Sequence, residues 1–348
     1  MRSLRTARMR TILTGTALLA AAGLLTACTS GGETEDVVDQ GTTSDENVAS
    51  GDTVVIGFSG PAADHGWLGA INSGAQAAAD SFDDVDFRVA EGTNDANAQI
   101  AAVETFINEG VDAIVLLPTD GAALTEVAIK AMEAGIPVIN VDREFSSPFA
   151  ARTTVLGDNY GMGVSAGTYI CEQLDGQKDA VVAEIAGIDS LPLTQDRSQG
   201  FADALEDCGL EVGARVAADF TVAGGEAAAS QLLSANPHID ALWNHDDDQG
   251  VGVLAAINSA SRDEFFMVGG AGSKNAMEAI EADDTVLKAT VIYPSTQAAD
   301  GVALARLIAQ GKTMSDLITP SVPNRIVLDA PVVTKDNVSE YIDLAFES

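Results

Sequence analysis

Basic residues, cysteines, histidines and aromatics are all scarce in this 348-residue chain, and each scarcity removes a class of function. Eighteen lysines and arginines stand against 52 aspartates and glutamates, a net charge of −34. So acidic a surface repels phosphate backbones and anionic headgroups, which argues against nucleic acid as a partner. The three histidines (His65, His238, His245) and three cysteines (Cys28, Cys171, Cys208) show no paired ligand spacing, so no metal site is expected. Nor does any histidine stand out as the base of a serine hydrolase. Aromatics make up only 5%, against 46% hydrophobic residues and 33 glycines, which is ordinary α/β composition.

What is present begins with an address. Arg2, Arg5, Arg8 and Arg10 form a positive head, and an apolar run follows from Ile12 to Leu25. That run is too short to span a membrane and ends in small residues, as a secretory signal does. The ending Leu25-Thr26-Ala27-Cys28 resembles a bacterial lipobox, which implies acylation of Cys28 and a lipid tether on the outer face of the cytoplasmic membrane. An ordinary signal peptide that happens to contain a cysteine is the plainer alternative. Removing residues 1–27 takes away four arginines and no acid, leaving 14 basic and 52 acidic residues, a net charge near −38. Residues 28–52 are polar and rich in Gly, Ser and Thr after the cysteine, and read as a flexible linker. Cys171 and Cys208 are the remaining pair in an oxidising compartment, so a disulfide between them is expected. Two separate buried thiols are the alternative, and a mass shift on reduction separates the two.

From Thr53 onward, apolar runs of strand length alternate with helix-length segments. The runs are Thr53–Ser59, Phe87–Thr93, Ala113–Thr119, Pro137–Asp142, Thr153–Gly157, Ala180–Ala186, Arg215–Thr221, Ala241–His245, Phe265–Gly270 and Leu287–Tyr293. Near-continuous apolar runs predict strands covered on both faces. In one intervening segment Ile100, Val103 and Ile107, with Phe106 beside them, form a single helical stripe. Gly110, Gly135 and Gly209 sit where helices should close. Repeated β–α units imply parallel sheets with right-handed crossovers, and the length favours two doubly wound lobes over one closed barrel.

In open parallel sheets, ligands sit beyond the carboxyl ends of the strands. Polar residues gather there: Asp64-His65 after the first run, Asp142-Arg143 after the fourth, and Asp246-Asp247-Asp248 after Trp243 and His245. Trp67 follows His65, and Arg197 lies past the loop Gly187–Thr194. Carboxylate and guanidinium can divide the acceptor and donor work on adjacent hydroxyls, and an indole covers the C–H face of a sugar ring. Singly, each of these residues has a structural reading, as an ion pair or as core.

At these residues the chain resembles the ribose/galactose-type periplasmic binding proteins, the solute receptors of bacterial ABC sugar importers. The marks run in order. They include Asp112-Ala113-Ile114 leading to Pro118-Thr119-Asp120, then Gly135-Ile136-Pro137-Val138-Ile139 running into Asp142-Arg143. Gly157-Asp158-Asn159, Arg197-Ser198-Gln199-Gly200-Phe201 and Ala218-Asp219-Phe220 follow. Asp246-Asp247 with Gly252, and Ala289-Thr290-Val291, complete the set. The resemblance implies a type I periplasmic binding protein fold, two Rossmann-like lobes joined by three hinge strands. The first lobe would comprise 53–157 plus 293–323, the second 158–292 plus 324–348, with crossings near Gly157, Tyr293 and Asn324. It further implies a ligand site of His65, Trp67, Leu68, Asp142 and Arg143 from the first lobe, Arg197, Phe220 and Asp246 from the second, and Tyr293 at the hinge. The implied protein is a monomer with no cofactor and no catalysis, which delivers a monosaccharide or polyol to ABC permease subunits.

Three positions depart from the family pattern. Leu68 stands where a second aromatic is usual, Asp246 where Asn is usual, and Ala271 where a hydroxyl-binding Asp is usual. Losing that acceptor removes about 1.5–3 kcal/mol of charge-assisted hydrogen bonding, so ribose itself is not expected. Nucleoside or signalling-molecule binding on the same fold is the alternative, since Trp67 and Phe220 could stack a base; delivery of the ligand signal to a sensor reads the same from sequence. Two motifs argue for enzymes. Gly163-Val164-Ser165-Ala166-Gly167 spells a hydrolase elbow and Gly161-Met162-Gly163-Val164-Ser165-Ala166 a dinucleotide loop, with Asp189 downstream. The first lies inside a helix running from about Tyr160 to Gln173, and an exported protein has no obvious supply of the second's cofactor. The triple aspartate lacks the spaced ligands of a calcium loop and reads as helix capping plus one ligand contact.

Overall fold

A computed structural model describes residues 49–314, 317, 319 and 321–347; the signal segment, Cys28 and most of the linker lie outside these residues. The first sheet takes β1 (Val54–Ser59), β2 (Val85–Val89), β3 (Ala113–Leu116), β4 (Val138–Val141) and β5 (Thr153–Gly157). These alternate with α1 (Gly66–Asp80), α2 (Ala96–Glu109) and α3 (Gly121–Glu133). The second sheet takes β6 (Val182–Ala186), β7 (Val212–Ala217), β8 (Ala241–Asn244), β9 (Phe266–Ala271) and β10 (Leu287–Ile292). Its helices are α4 (Asn159–Leu174), α5 (Pro192–Cys208), α6 (Val222–Ala235), α7 (Asp247–Ala260) and α8 (Lys274–Ala282). Helix α9 (Gln297–Ala309) returns to pack on α1 and the first sheet. The chain closes with β11 (Arg325–Leu328), β12 (Val332–Thr334) and α10 (Val338–Tyr341).

Strand order is β11-β5-β4-β3-β1-β2 in one sheet and β12-β10-β9-β8-β6-β7 in the other. All pairings are parallel except β10 with β12. These are two doubly wound α/β lobes. Inner strands β3, β4 and β8 are buried along their whole length, as continuous apolar runs require. The edge strands differ from the sequence expectation. β7 alternates between half-buried and exposed residues and β2 does so over Val85–Phe87, and both start earlier than the apolar runs, at Val85 and Val212. A strand with one covered face needs only every second residue apolar. The third crossing also moves. β11 pairs with β5 of the first sheet, so the chain changes lobe at Asp329–Pro331 rather than near Asn324.

In α2, Val103, Phe106 and the amide of Gln99 are buried, with Ile100 and Ile107 flanking the same cluster. Gly110 and Gly209 end their helices in the left-handed conformation, and Gly135 takes it one residue after the cap of α3. Ser165 lies inside α4, where its hydroxyl donates to the Ala330 carbonyl at 3.0 Å. The glycines around it serve helix packing: a Cβ on Gly163 would sit 2.1 Å from the Arg197 carbonyl oxygen, and one on Gly200 2.1 Å from that of Tyr160. Helices α4 and α5 therefore touch backbone to backbone, and Cys171 and Cys208 join their far ends in a disulfide with Cα atoms 6.2 Å apart. At the start of the described chain, Arg306 of α9 forms a buried ion pair with Asp84 and donates to the Ala49 carbonyl, while the Gly51 amide donates to Asp84. The linker thus enters the first lobe against a buried ion pair.

Candidate functional site

Every residue expected in the site is placed by a strand end. His65 and Trp67 lie where β1 gives way to α1, and Asp142-Arg143 directly follow β4. Arg197 lies on α5 after β6, Phe220 between β7 and α6, Asp246 between β8 and α7, and Tyr293 directly after β10. Eight of them, His65, Trp67, Asp142, Arg143, Arg197, Phe220, Asp246 and Tyr293, line one cavity between the lobes. Leu68 does not: α1 turns it into the core of the first lobe, 3% exposed. Leu193 takes part instead, an apolar residue in the first turn of α5 whose only sequence signal was its place in the loop before Arg197.

The cavity is small, about 30 Å³, room for about two water molecules. A broader cavity of about 330 Å³ adjoins it and shares Asp142, Arg143 and Leu193 as walls.

Hydrogen bonds hold each polar group in place. The Tyr293 hydroxyl donates to Asp142 Oδ1 at 2.5 Å and accepts from Asn159 Nδ2 at 3.1 Å. Asn159 in turn accepts Arg197 Nε at 2.8 Å, and the His245 carbonyl accepts Arg197 Nη1 at 3.1 Å. The guanidinium carbon lies 4.4 Å from the centre of the Tyr293 ring. Arg143 Nη1 donates to the Thr119 carbonyl at 2.9 Å, while its Nε is buried with no hydrogen-bond partner among the described residues. Trp67 Nε1 donates to the Tyr293 carbonyl at 3.1 Å, and the two rings stack obliquely, 5.4 Å between centres.

Two cavity-lining residues have unusual backbone conformations. Asp142 and Phe220 have φ of 63° and 68°, in the left-handed region. Aspartate tolerates this; phenylalanine does so at a cost, and such strain concentrates at functional sites. The Phe220 amide is held by Gln249 Oε1 at 3.0 Å. Gly187 leaves room for the ring, since a Cβ there would lie 1.9 Å from it.

Charges are balanced across the cleft. Burial works against the His65 imidazolium, but Asp248, Asp246 and Asp64 together raise its pKa above the ordinary value. Burial pushes Asp246 up to about 6, with Asp248 adding to it and His65 and Arg197 opposing. His245, which the sequence placed beside the site, is fully buried, its ring 2.9 Å from Glu184, and burial lowers its pKa. Ala271 is the last residue of β9 and does not line the cavity. His65, Asp246 and Asp248 bring one nitrogen and two carboxylate oxygens within 4.8 Å of one another.

Two α/β lobes with paired arginines and aspartates facing each other across a cleft define a solute receptor that closes on its ligand. The chain belongs to the periplasmic binding protein domain family, whose profile matches residues 56–313. It is 33% identical over 221 residues to the ribose import binding protein of Bacillus subtilis, covering 62% of this chain and 70% of that one. It is 30% identical over 241 residues to the D-ribose/D-allose-binding protein of Pseudomonas aeruginosa, covering 68% and 74%. Among solved structures it is similar to an ABC transporter solute-binding protein of Bacillus halodurans with bound myo-inositol. There the TM-score is 0.75 at 25% identity, over 85% of this chain and 99% of that one. The family is extracytoplasmic, and these relatives are substrate-binding proteins of importers rather than enzymes.

Asp246 supplies a test of the site's electrostatics. A carboxyl raised to about 6 in the folded protein, against about 3.9 unfolded, holds its proton more tightly when folded. Its ionisation therefore costs stability progressively as pH rises through 4 to 6. Asp246→Asn should be more stable than wild type at pH 7.5, by up to about 3 kcal/mol, and equal to it near pH 4. Denaturant unfolding at the two pH values measures this; an equal difference at both contradicts the assignment.

Proposed function

We propose that this protein captures a monosaccharide or polyol other than ribose between its lobes and delivers it to the permease subunits of an ABC importer. It does so as a monomer, tethered by lipid on Cys28 to the outer face of the cytoplasmic membrane. One observation carries the reading: Asp142 and Arg143 of one lobe and Arg197 and Asp246 of the other line a single cavity, flanked by Trp67 and Phe220. Acceptors and donors on both walls suit a ligand with hydroxyls on both edges, and the ring faces suit its C–H surfaces. A ligand that touches both lobes favours the closed form because only that form makes all the contacts. The relatives named for ribose, for ribose and allose, and with bound myo-inositol support a hydroxyl-rich ligand.

The departures from the family pattern argue against ribose. No carboxylate enters the cavity from the end of β9, where Ala271 stands, while Asp246 brings one from the neighbouring strand end. Tyr293 also uses one oxygen of Asp142, so the acceptors offered to the ligand are rearranged.

A thermal-shift screen against pentoses, hexoses, polyols and nucleosides tests the reading. At a ligand concentration of about 100 Kd, one narrow sugar or polyol class should raise Tm by about 5 °C. Arg143→Ala and Trp67→Ala should each remove most of that shift; a shift given by nucleosides alone, or one that survives both substitutions, contradicts it. For the tether, Cys28→Ser should abolish incorporation of labelled palmitate, and unchanged labelling contradicts acylation at that residue.

A further inference from the structure

The run Asp246-Asp247-Asp248 sends its three carboxylates in three directions. Asp246 faces the cleft cavity. Asp247 turns into its own lobe, where it accepts the amides of Gly270, Gly272 and Ser273 at 2.8–2.9 Å and the Thr290 hydroxyl. Asp248 crosses to the other lobe. Its Oδ2 accepts the Trp67 amide at 3.0 Å and lies 3.4 Å from His65 Nδ1. It is buried and does not line the cavity.

Helix α1 lacks a cap of its own. His65 occupies the N-cap position in extended conformation, its side chain makes no capping bond, and the first turn contains no acid. An N-cap acceptor bonds the amide of the second or third helical residue, and Trp67 is the second of α1. The carboxylate also meets the positive end of the helix dipole. We propose that Asp248 is the N-cap of α1, supplied across the cleft, and that this bond biases the two lobes toward closure before any ligand arrives. It is a positioning residue for the receptor reading above: parting the lobes strips α1 of its cap, and closing them restores it.

The groups around the contact support this. His65 faces Asp248 of α7 and Asp246 just before it, Asp64 from its own loop at 3.9 Å, and the Phe220 ring at 6.4 Å between centres. Two carboxylates of one lobe therefore meet a histidine and a helix N-terminus of the other. An N-cap of this type shifts an equilibrium by about 2- to 30-fold.

Hydrogen exchange on the full chain with no sugar added tests the proposal. Asp248→Ala should speed exchange of the Trp67 amide and the first turn of α1 by about 2- to 30-fold, leaving Gln76–Asp80 at the far end of α1 unchanged. Because the bond acts by closing the lobes, amides of the cleft-facing 187–193 loop should lose protection as well. Asp248→Asn, whose amide oxygen can still accept, should regain most of the protection. If Asp248→Ala does not fold, Asp248→Ser, too short to reach Trp67, takes its place. Wild-type exchange in the substituted protein overturns the proposal. So does a change confined to α1, which would make the bond a local cap with no hold on closure. The receptor reading is judged separately by the ligand screen, since no sugar enters this measurement.

Discussion

At the hinge, the Tyr293 hydroxyl joins charged groups of the two lobes. It donates to Asp142 of the first lobe and accepts from Asn159 of the second, and Asn159 holds Arg197. Burial, and Asp142 beside it, raise the phenol's pKa above its ordinary value, so the hydroxyl stays protonated and keeps donating. The ring serves as well: Arg197 lies over it, Trp67 stacks on it, and Gly157 makes room for it, since a Cβ there would lie 2.1 Å away. Removing this side chain would leave a buried aspartate and a buried arginine each short of a partner, the costly condition for groups out of water. The orientation of the cleft depends on that one residue at the hinge.

Around this centre the cleft combines firm placement with a few deliberately unfinished bonds. Arg197 is fixed by Asn159 and the His245 carbonyl, and Phe220 is held in a left-handed conformation by Gln249. Arg143 Nε, by contrast, has no hydrogen-bond partner among the described residues and only the Asp142 carboxylate 3.6 Å away, and Asp246, whose Oδ1 accepts the Gln249 amide, carries a carboxyl that burial has made reluctant to ionise. A buried polar atom left short of a hydrogen bond destabilises the free protein, and a ligand that supplies the missing bond recovers that cost. This is the trade expected of a binding site, and catalysis has no use for it here: Ser165, the one serine in a nucleophile-like motif, is inside a helix and bonded to a backbone carbonyl.

Much of this was legible in the sequence because parallel sheets put chemistry at strand ends. The apolar runs located the inner strands, and the residues after them located His65, Asp142, Arg143, Arg197 and Asp246. The edges were harder. β7 alternates throughout and β2 over Val85–Phe87, each with one covered face, while β11 and β12 are short segments with no long apolar run. Leu68 was misplaced because adjacent residues on a helix point about 100° apart, so when Trp67 faces the cleft its neighbour faces the core. By sequence Asp248 belongs with its neighbours to a run that caps its own helix. Nothing local shows that it caps a helix 181 residues away in sequence.

In the proposed receptor the site exists only when both lobes contribute to it. Titration calorimetry with the sugar found by screening, on Arg143→Ala, Arg197→Ala and the double variant, tests this most directly. Each single substitution should weaken binding at least about tenfold, as loss of charge-assisted bonds requires. The double variant should lose less than the two combined, because either loss already depletes the closed form. Wild-type affinity in Arg197→Ala would place the ligand on one lobe alone and contradict the account.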